Sequence, residues 1–315
     1  MSDKLRLYAM LLAMGAGWGA SIPLAKIAVS TGHQAFGLIF WQMVIVLVVC
    51  GTVMALRGKR PVIGRAYLRL FLMVAIFGTV MPDIFYYTAA RELPGGIMSI
   101  VTSSVPMFSL PIAILLANEG FVPKRLFGLI FGMVGIVLLI GPETSVPGAR
   151  ATGFVVIALG APLFYAIEGN LVSKWGTAGL DPLQVVFGAS LVGLPICFAL
   201  AVGTGQWIDP TAGIGRAETA LIFSAGIHAL VYAAYVWLVG RAGSVFAAQT
   251  SYVVTATGVL WSIYLLQESY SGWVWLALAM MMVGMFLVQP RAPRVLVPGR
   301  AMEDDGAKQE EAVAK

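Results

Sequence analysis

LPGGIMSIVTSSVPMFSLPIAILLANE, residues 93–119, is the stretch on which the reading of this chain turns. No charge interrupts it between Glu92 and Glu119. A helix needs roughly 20 apolar residues to cross a bilayer core of about 30 Å, so the stretch is long enough. It is nevertheless a poor lipid-facing helix. Pro106 and Pro111 each remove a backbone donor, and Ser99, Thr102, Ser103, Ser104 and Ser109 scatter hydroxyls along it. Broken backbone at membrane depth is tolerated only where protein or a water-filled cavity satisfies it. The segment is therefore expected to face inward.

An echo follows about 150 residues on: GSVFAAQTSYVVTATGVLWSIYLLQE, residues 243–268. It too begins with small residues, carries a polar middle (Gln249, Thr250, Ser251, Thr255, Thr257) and closes on an acid, Glu268.

Composition sets the class. The 315 residues are 59% hydrophobic and only 11% charged, with mean hydropathy +0.88, whereas soluble domains carry about 25% charged residues. The net charge of +5 is no nucleic-acid footprint, because the basic residues sit in short loops between apolar runs. The two cysteines, Cys50 and Cys197, lie inside apolar runs. They are too few and too far apart for a disulfide framework or a zinc site and read as small buried hydrophobes. The first apolar run continues past the length of a signal-peptide core and reads as a first membrane span.

The pattern predicts an all-α integral membrane protein with ten spans: 6–29, 35–56, 68–90, 94–117, 124–141, 152–174, 182–203, 218–240, 243–266 and 272–289. Lys4, Arg6, Arg57, Lys59, Arg60, Arg65, Arg69, Lys124, Arg125, Lys174, Arg241, Arg291, Arg294 and Arg300 collect on one side. By the positive-inside rule that side, with both termini, is cytoplasmic. The expected location is the cell membrane as a multi-pass protein, the inner membrane of a bacterium. A tail, 291–315, is Pro-rich and then acidic and reads as disordered.

A shift of 148 to 150 residues superposes Lys26 on Lys174, Glu119 on Glu268, and Val134-Gly135 on Val283-Gly284. Each half, 1–141 and 142–290, holds five spans. Five is odd, so the second half is expected to cross in the opposite sense, as an inverted repeat with a midplane site between the halves.

These landmarks resemble the drug/metabolite transporter superfamily, in its ten-span EamA type. The residues that carry the resemblance are Trp18-Gly19 with Lys26, Pro106 through Glu119, the glycine-studded Gly128 to Gly141, and then Lys174, Glu268 and Gly284. The resemblance covers about residues 6–290. It implies export of amino acids or other small metabolites, through a central cavity lined by spans one, three, four, six, eight and nine, with five and ten at the periphery. The second half departs from the pattern where Phe164-Tyr165-Ala166 replaces the Trp-Gly element.

Ionisable groups inside a membrane are expensive and are functional candidates by default. Glu168, followed by Asn170, is placed to bind an ammonium group or carry a proton; the alternative is a structural pair. Asp83 follows Pro82, which frees a carbonyl near residue 78; the alternative is pairing with Arg91 or Lys26. His228 near the middle of span eight has a side chain suited to proton coupling, or to hydrogen-bonded packing. Glu168, Asp83 and His228 are thus the proton-coupling candidates. Trp18, Tyr86, Phe164, Tyr165 and Tyr232 are candidate cavity walls, and Ser103 and Gln249 candidate uncharged contacts from spans four and nine. Glu119 and Glu268 read as structural, capping or orienting the turn into the following span. Gly128 and Gly132 form GxxxG, which admits a close helix neighbour, either within a monomer or across a dimer.

The reading that follows is a secondary transporter exporting a small polar metabolite by alternating access, proton exchange being one energy source. The alternatives are a passive channel, a non-transporting membrane subunit, or an intramembrane enzyme. The last lacks a nucleophile–base pair at telling spacing, and no phosphate-cradling Gly-x-x-x-x-Gly-Lys motif is present for ATP. No cofactor or metal is called for. Metabolite and lipid are the expected partners; nucleic acid is not.

Overall fold

The computed structural model describes residues 3–117, 123–140, 149–242 and 250–288. Glu119, Gln249 and the tail 291–315 lie outside the described residues. Within them the first half comprises α1 (Asp3–Ala28), α2 (Ala35–Leu56), α3 (Leu68–Ala75), α4 (Met81–Ala90), α5 (Gly95–Thr102), α6 (Val105–Leu115) and α7 (Pro123–Ile140). The second half comprises α8 (Ala149–Ala158), α9 (Gly160–Trp175), α10 (Pro182–Gly203), α11 (Arg216–Ala242), α12 (Thr250–Leu266) and α13 (Gly272–Val288). Six helical rods among the described residues are long and apolar enough to cross a membrane, and Arg125–Leu139, Thr250–Leu266 and Gly272–Leu287 are shorter apolar helices.

Three rods are broken, each for a local reason. A π-helical turn, Ile76–Val80, joins α3 to α4 just ahead of Pro82. Proline cannot donate to the preceding turn, and a π turn absorbs the lost register, as such bulges often do at functional sites. Ser103 and Ser104 interrupt the rod α5–α6, with Pro106 in the first turn of α6. There the hydroxyls of Thr102, Ser103 and Ser104 donate to the carbonyls of Met98, Ile100 and Val101 at 2.8, 2.6 and 2.7 Å. The scattered hydroxyls thus serve the broken backbone itself. Leu159 interrupts α8–α9 ahead of Pro162.

The packing follows the repeat. α1 packs on α11 and α12; correspondingly, α9 packs on α4 and α6. α2–α11 is matched by α3–α10, while α2–α10, α5–α12 and α7–α13 each join a helix to its own counterpart. Exchanging the halves therefore maps these contacts onto one another. The main core is built from both halves, with Leu38, Ile39, Ile97, Ile100, Val259 and Met281 among its buried members. α7 turns Phe127, Met133 and Val137 outward, all about 60% exposed (60%, 62%, 58%), which is the solvation a lipid-facing helix wants.

The GxxxG face of α7 is filled from within the chain. A Cβ added to Gly284 of α13 would lie 2.9 Å from the Gly128 carbonyl oxygen and 3.0 Å from the Gly132 nitrogen. Gly284 therefore occupies the approach that a second chain would need.

The paired stretches meet through an acid. Glu268 accepts hydrogen bonds from the Gly95 and Gly96 amides at 2.9 and 3.3 Å, and Tyr270 bonds both Gly96 and Glu268. Glu268 thus caps the N-terminus of α5 in the other half and, through Tyr270, also holds the turn into the following helix, a structural role that reaches further than the sequence reading. A carboxylate there satisfies two of the four orphan amides and meets the positive end of the helix dipole.

Two further clasps close the ends. His33 meets Glu218 at 2.5 Å, with Phe36 N donating to Gln206 Oε1 and Trp41 Nε1 to the Ile208 carbonyl, each at 3.0 Å. At the other end Lys59 meets Asp181 at 2.5 Å, and Gln184 donates to the Arg60 carbonyl. Burial pushes the Asp181 carboxyl up, but hydrogen bonds from Lys59 and the Leu183 amide outweigh it and leave it below the ordinary carboxylate range.

Candidate functional site

The ionisable and aromatic candidates gather where the halves meet. Trp18 of α1 donates its indole N–H to His228 Nδ1 at 3.1 Å, with ring centroids 5.9 Å apart. Indole nitrogen is a donor only, so Nδ1 is the acceptor and the neutral imidazole carries its proton on Nε2. Tyr235, two turns along α11, lies 5.6 Å from the same indole. His228 keeps open surface although protein surrounds it at depth. Leu230, about 200° around the same helix, faces outward. The space His228 faces is therefore inside the bundle.

A shift of 150 residues carries Trp18 to Glu168 and His228 to Gly78. The structure brings that second pair together as well. A Cβ on Gly78 would lie 3.1 Å from Glu168 Cγ, so the π turn of the first half and α9 of the second make the counterpart of the Trp18–His228 contact. At one contact the halves present an indole and an imidazole, at its counterpart a carboxylate beside a glycine. Among the described residues no group donates a hydrogen bond to the Glu168 carboxylate. Glu168 remains half-buried, and Tyr232 lies one turn beyond His228 on α11, half-buried as well.

Asp83 is held differently. It is buried and accepts from Gln42 Nε2 at 2.7 Å and from the Tyr165 hydroxyl at 3.1 Å. Tyr87 donates to Gln42 Oε1 at 2.5 Å. The chain Tyr87–Gln42–Asp83–Tyr165 ties α2, α4 and α9 together. Neither Arg91 nor Lys26 is its partner, against the pairing set out as the structural alternative; Lys26 donates instead to the Arg91 carbonyl at 3.1 Å. Lys174 likewise donates to the Leu116 carbonyl at 3.0 Å. Both lysines thus hold helix C-termini, where cations are favoured.

The remaining candidates separate into wall and scaffold. Phe164 stacks between Phe77 and Phe85, at 6.0 and 5.6 Å. Tyr86 is half-buried and sits edge-on to Tyr87 at 5.9 Å. Asn170 is buried and donates to Ser109 Oγ at 2.8 Å and to the Ala166 carbonyl at 2.9 Å, joining α9 to α6. Ser103 is buried with its hydroxyl on Ile100. Sequence reasoning missed Gln42, Tyr87 and Gly78. Gln42 carried a signal, as the one amide side chain within Ala35–Leu56; Gly78 carried one only through the repeat. Cys50 and Cys197 are buried, and among the described residues no three His, Cys, Asp or Glu side chains gather as metal ligands.

A helical bundle of two matched repeats, with outward apolar faces and polar groups at their junction, defines a multi-pass membrane protein. The EamA-like transporter family matches residues 5–141 and again 153–289. The chain belongs to that family, as its resemblance to the drug/metabolite transporters implied, and membership points to transport rather than catalysis. It is similar to Protein PecM of Dickeya dadantii (strain 3937), 32% identical over 154 residues. That match covers 46% of this chain and 49% of PecM, so the chain spans about half the length of this relative. A solved crystal structure of a protein with 17% sequence identity shares the fold, at TM-score 0.61 over 88% of this chain and 94% of that one.

Proposed function

We propose that this protein is a secondary transporter that exports a small polar metabolite, an amino acid or similar, by alternating access. Ten spans form two five-span halves of opposite sense, with both termini cytoplasmic in a bacterial inner membrane. The single observation that supports the reading is the half-buried Glu168 carboxylate at the junction of the halves, to which no described residue donates a hydrogen bond. An intramembrane carboxylate without a protein partner is costly, and a substrate ammonium or an exchanged proton relieves that cost when it arrives. Glu168 is the charged contact, with Trp18, Tyr86, Phe164, Tyr165 and Tyr232 as walls. Asp83 and His228 stand as the further groups for proton exchange. The protein is read as a monomer, supported by the packing of Gly284 against the Gly128–Gly132 face that would otherwise be open to a second chain.

A thermal-shift screen of metabolites on the purified protein identifies the cargo, since a ligand of the folded state stabilises it with the logarithm of its concentration above Kd. Saturable, pH-dependent flux of that cargo in proteoliposomes is the expected result. Linear flux insensitive to pH marks a passive channel and overturns the reading.

A further inference from the structure

A second site lies away from the junction, where the loop after α2 meets the start of α3. A cavity of about 310 Å³ opens there between Ile63, Leu68 and Phe71 of the first half and Leu191 and Val192 of α10. Its walls are apolar apart from Arg65, which is exposed. Leu68 and Leu191 are 43% and 38% exposed, so the cavity opens sideways, between the first turns of the rod Arg65–Ala90 and the middle of the rod Pro182–Gly203.

The surrounding charge identifies the occupant. Arg57, Lys59, Arg60, Arg65 and Arg69 fall within thirteen residues. Lys59 is taken by Asp181 at 2.5 Å, and Arg69 lies over the Trp175 ring at 4.8 Å. Arg65, on the rim of the cavity, has no partner among the described residues. An apolar slot with a free guanidinium at its mouth matches one kind of molecule in its surroundings: a lipid with an anionic head and an aliphatic tail. Guanidinium binds phosphate through paired N–H donors, and basic pockets between membrane helices on the cytoplasmic side take anionic head groups.

We infer that this cavity binds an anionic phospholipid, with its phosphate on Arg65 and the upper part of an acyl chain against Ile63, Leu68, Phe71, Leu191 and Val192. The lipid bridges the halves at the α3–α10 contact. The assignment does not depend on the cargo or on Glu168.

Native mass spectrometry of the full chain, with phosphatidylglycerol or phosphatidylcholine of the same acyl chains, tests it. The wild type is expected to hold phosphatidylglycerol about fivefold more tightly, the effect of one basic group near a membrane surface. Arg65→Ala removes the preference, Arg65→Lys keeps most of it, and Leu191→Trp, which fills the slot, weakens both lipids. Arg65 is exposed, so its variants fold and decide the matter even where Leu191→Trp does not. An unchanged preference in Arg65→Ala overturns the proposal. Displacement by millimolar inorganic phosphate with Leu191→Trp indistinguishable from wild type also overturns it, in favour of a free-anion site.

Discussion

Trp18 Nε1 lies 3.1 Å from His228 Nδ1, and the repeat turns this contact into that of Glu168 with Gly78. A duplicated fold places equivalent positions at equivalent depth. The two halves have since filled those positions with different chemistry. That difference, not the symmetry, marks the junction as the candidate site: an acid from one half, an indole and an imidazole at the counterpart contact.

Trp18→Phe tests the first wall. The ring is kept and the donor is lost, so His228 Nδ1 loses its partner. A net cost of about 1 kcal/mol is expected, read as a small drop in melting temperature, together with reduced flux. Wild-type flux would confine the pair to packing.

Glu268→Ala tests the cross-repeat cap. Two amides at the N-terminus of α5 lose a charged acceptor, and Tyr270 loses its partner. Hydrogen bonds to charged groups contribute about 1.5–3 kcal/mol, so Glu268→Ala is expected to melt well below wild type and Glu268→Gln to fall between. A melting temperature equal to wild type would contradict the cap.

The sequence made much of this legible. Apolar runs and the positions of the prolines located the rods, and the constant offset of Lys26/Lys174 and Glu119/Glu268 exposed the repeat. The partner of each polar group was not legible, because pairing at membrane depth depends on which helices cross. Asp83 finds Gln42 and Tyr165 because α2 and α9 flank α4, and no spacing along the chain encodes that. Glu268 looked like the end of its own helix. Its role appears only when α12 packs on α5, where a Cβ on Gly95 would lie 2.7 Å from Ser262 Oγ. The hydroxyl of Ser103 reads from the sequence as a cavity contact, and the structure adds a bond to the Ile100 carbonyl at the break in its own helix, which no spacing announces.

Gly284→Val tests the α7–α13 seam. Its Cβ would meet the Gly128 carbonyl at 2.9 Å and Met107 Cε at 2.8 Å. The methionine can move; the backbone cannot. Overpacking of this kind costs about 1–3 kcal/mol, so a lower melting temperature is expected, with the cargo's affinity unchanged because the atoms the new side chain would meet, on Met107, Gly128 and Gly132, belong to no candidate site residue. Unaltered stability would mean that the helices separate freely there.

The Lys59–Asp181 clasp carries a pH signature. Asp181 is held below its unfolded value of about 3.9. Its contribution is therefore complete above that pH and fades as pH falls through the folded value. The clasp is partly exposed, so Lys59→Met is expected to cost at most about 1 kcal/mol at neutral pH. The gap between the two proteins should begin to close as pH falls below about 4 and vanish once it passes the lowered folded value. A gap that persists in acid would assign the loss to packing of the lysine stem.

The central claim rests on Glu168, and flux through Glu168→Gln in proteoliposomes tests it most directly. Amide replaces carboxylate at nearly constant shape, so expression and melting temperature should stay near wild type. Loss of a charge-assisted contact to cargo or proton is expected to lower flux about tenfold or more and to flatten its pH dependence. Flux and pH dependence equal to wild type, measured with a cargo that the wild type moves saturably, would show that the carboxylate at the junction takes no part in transport.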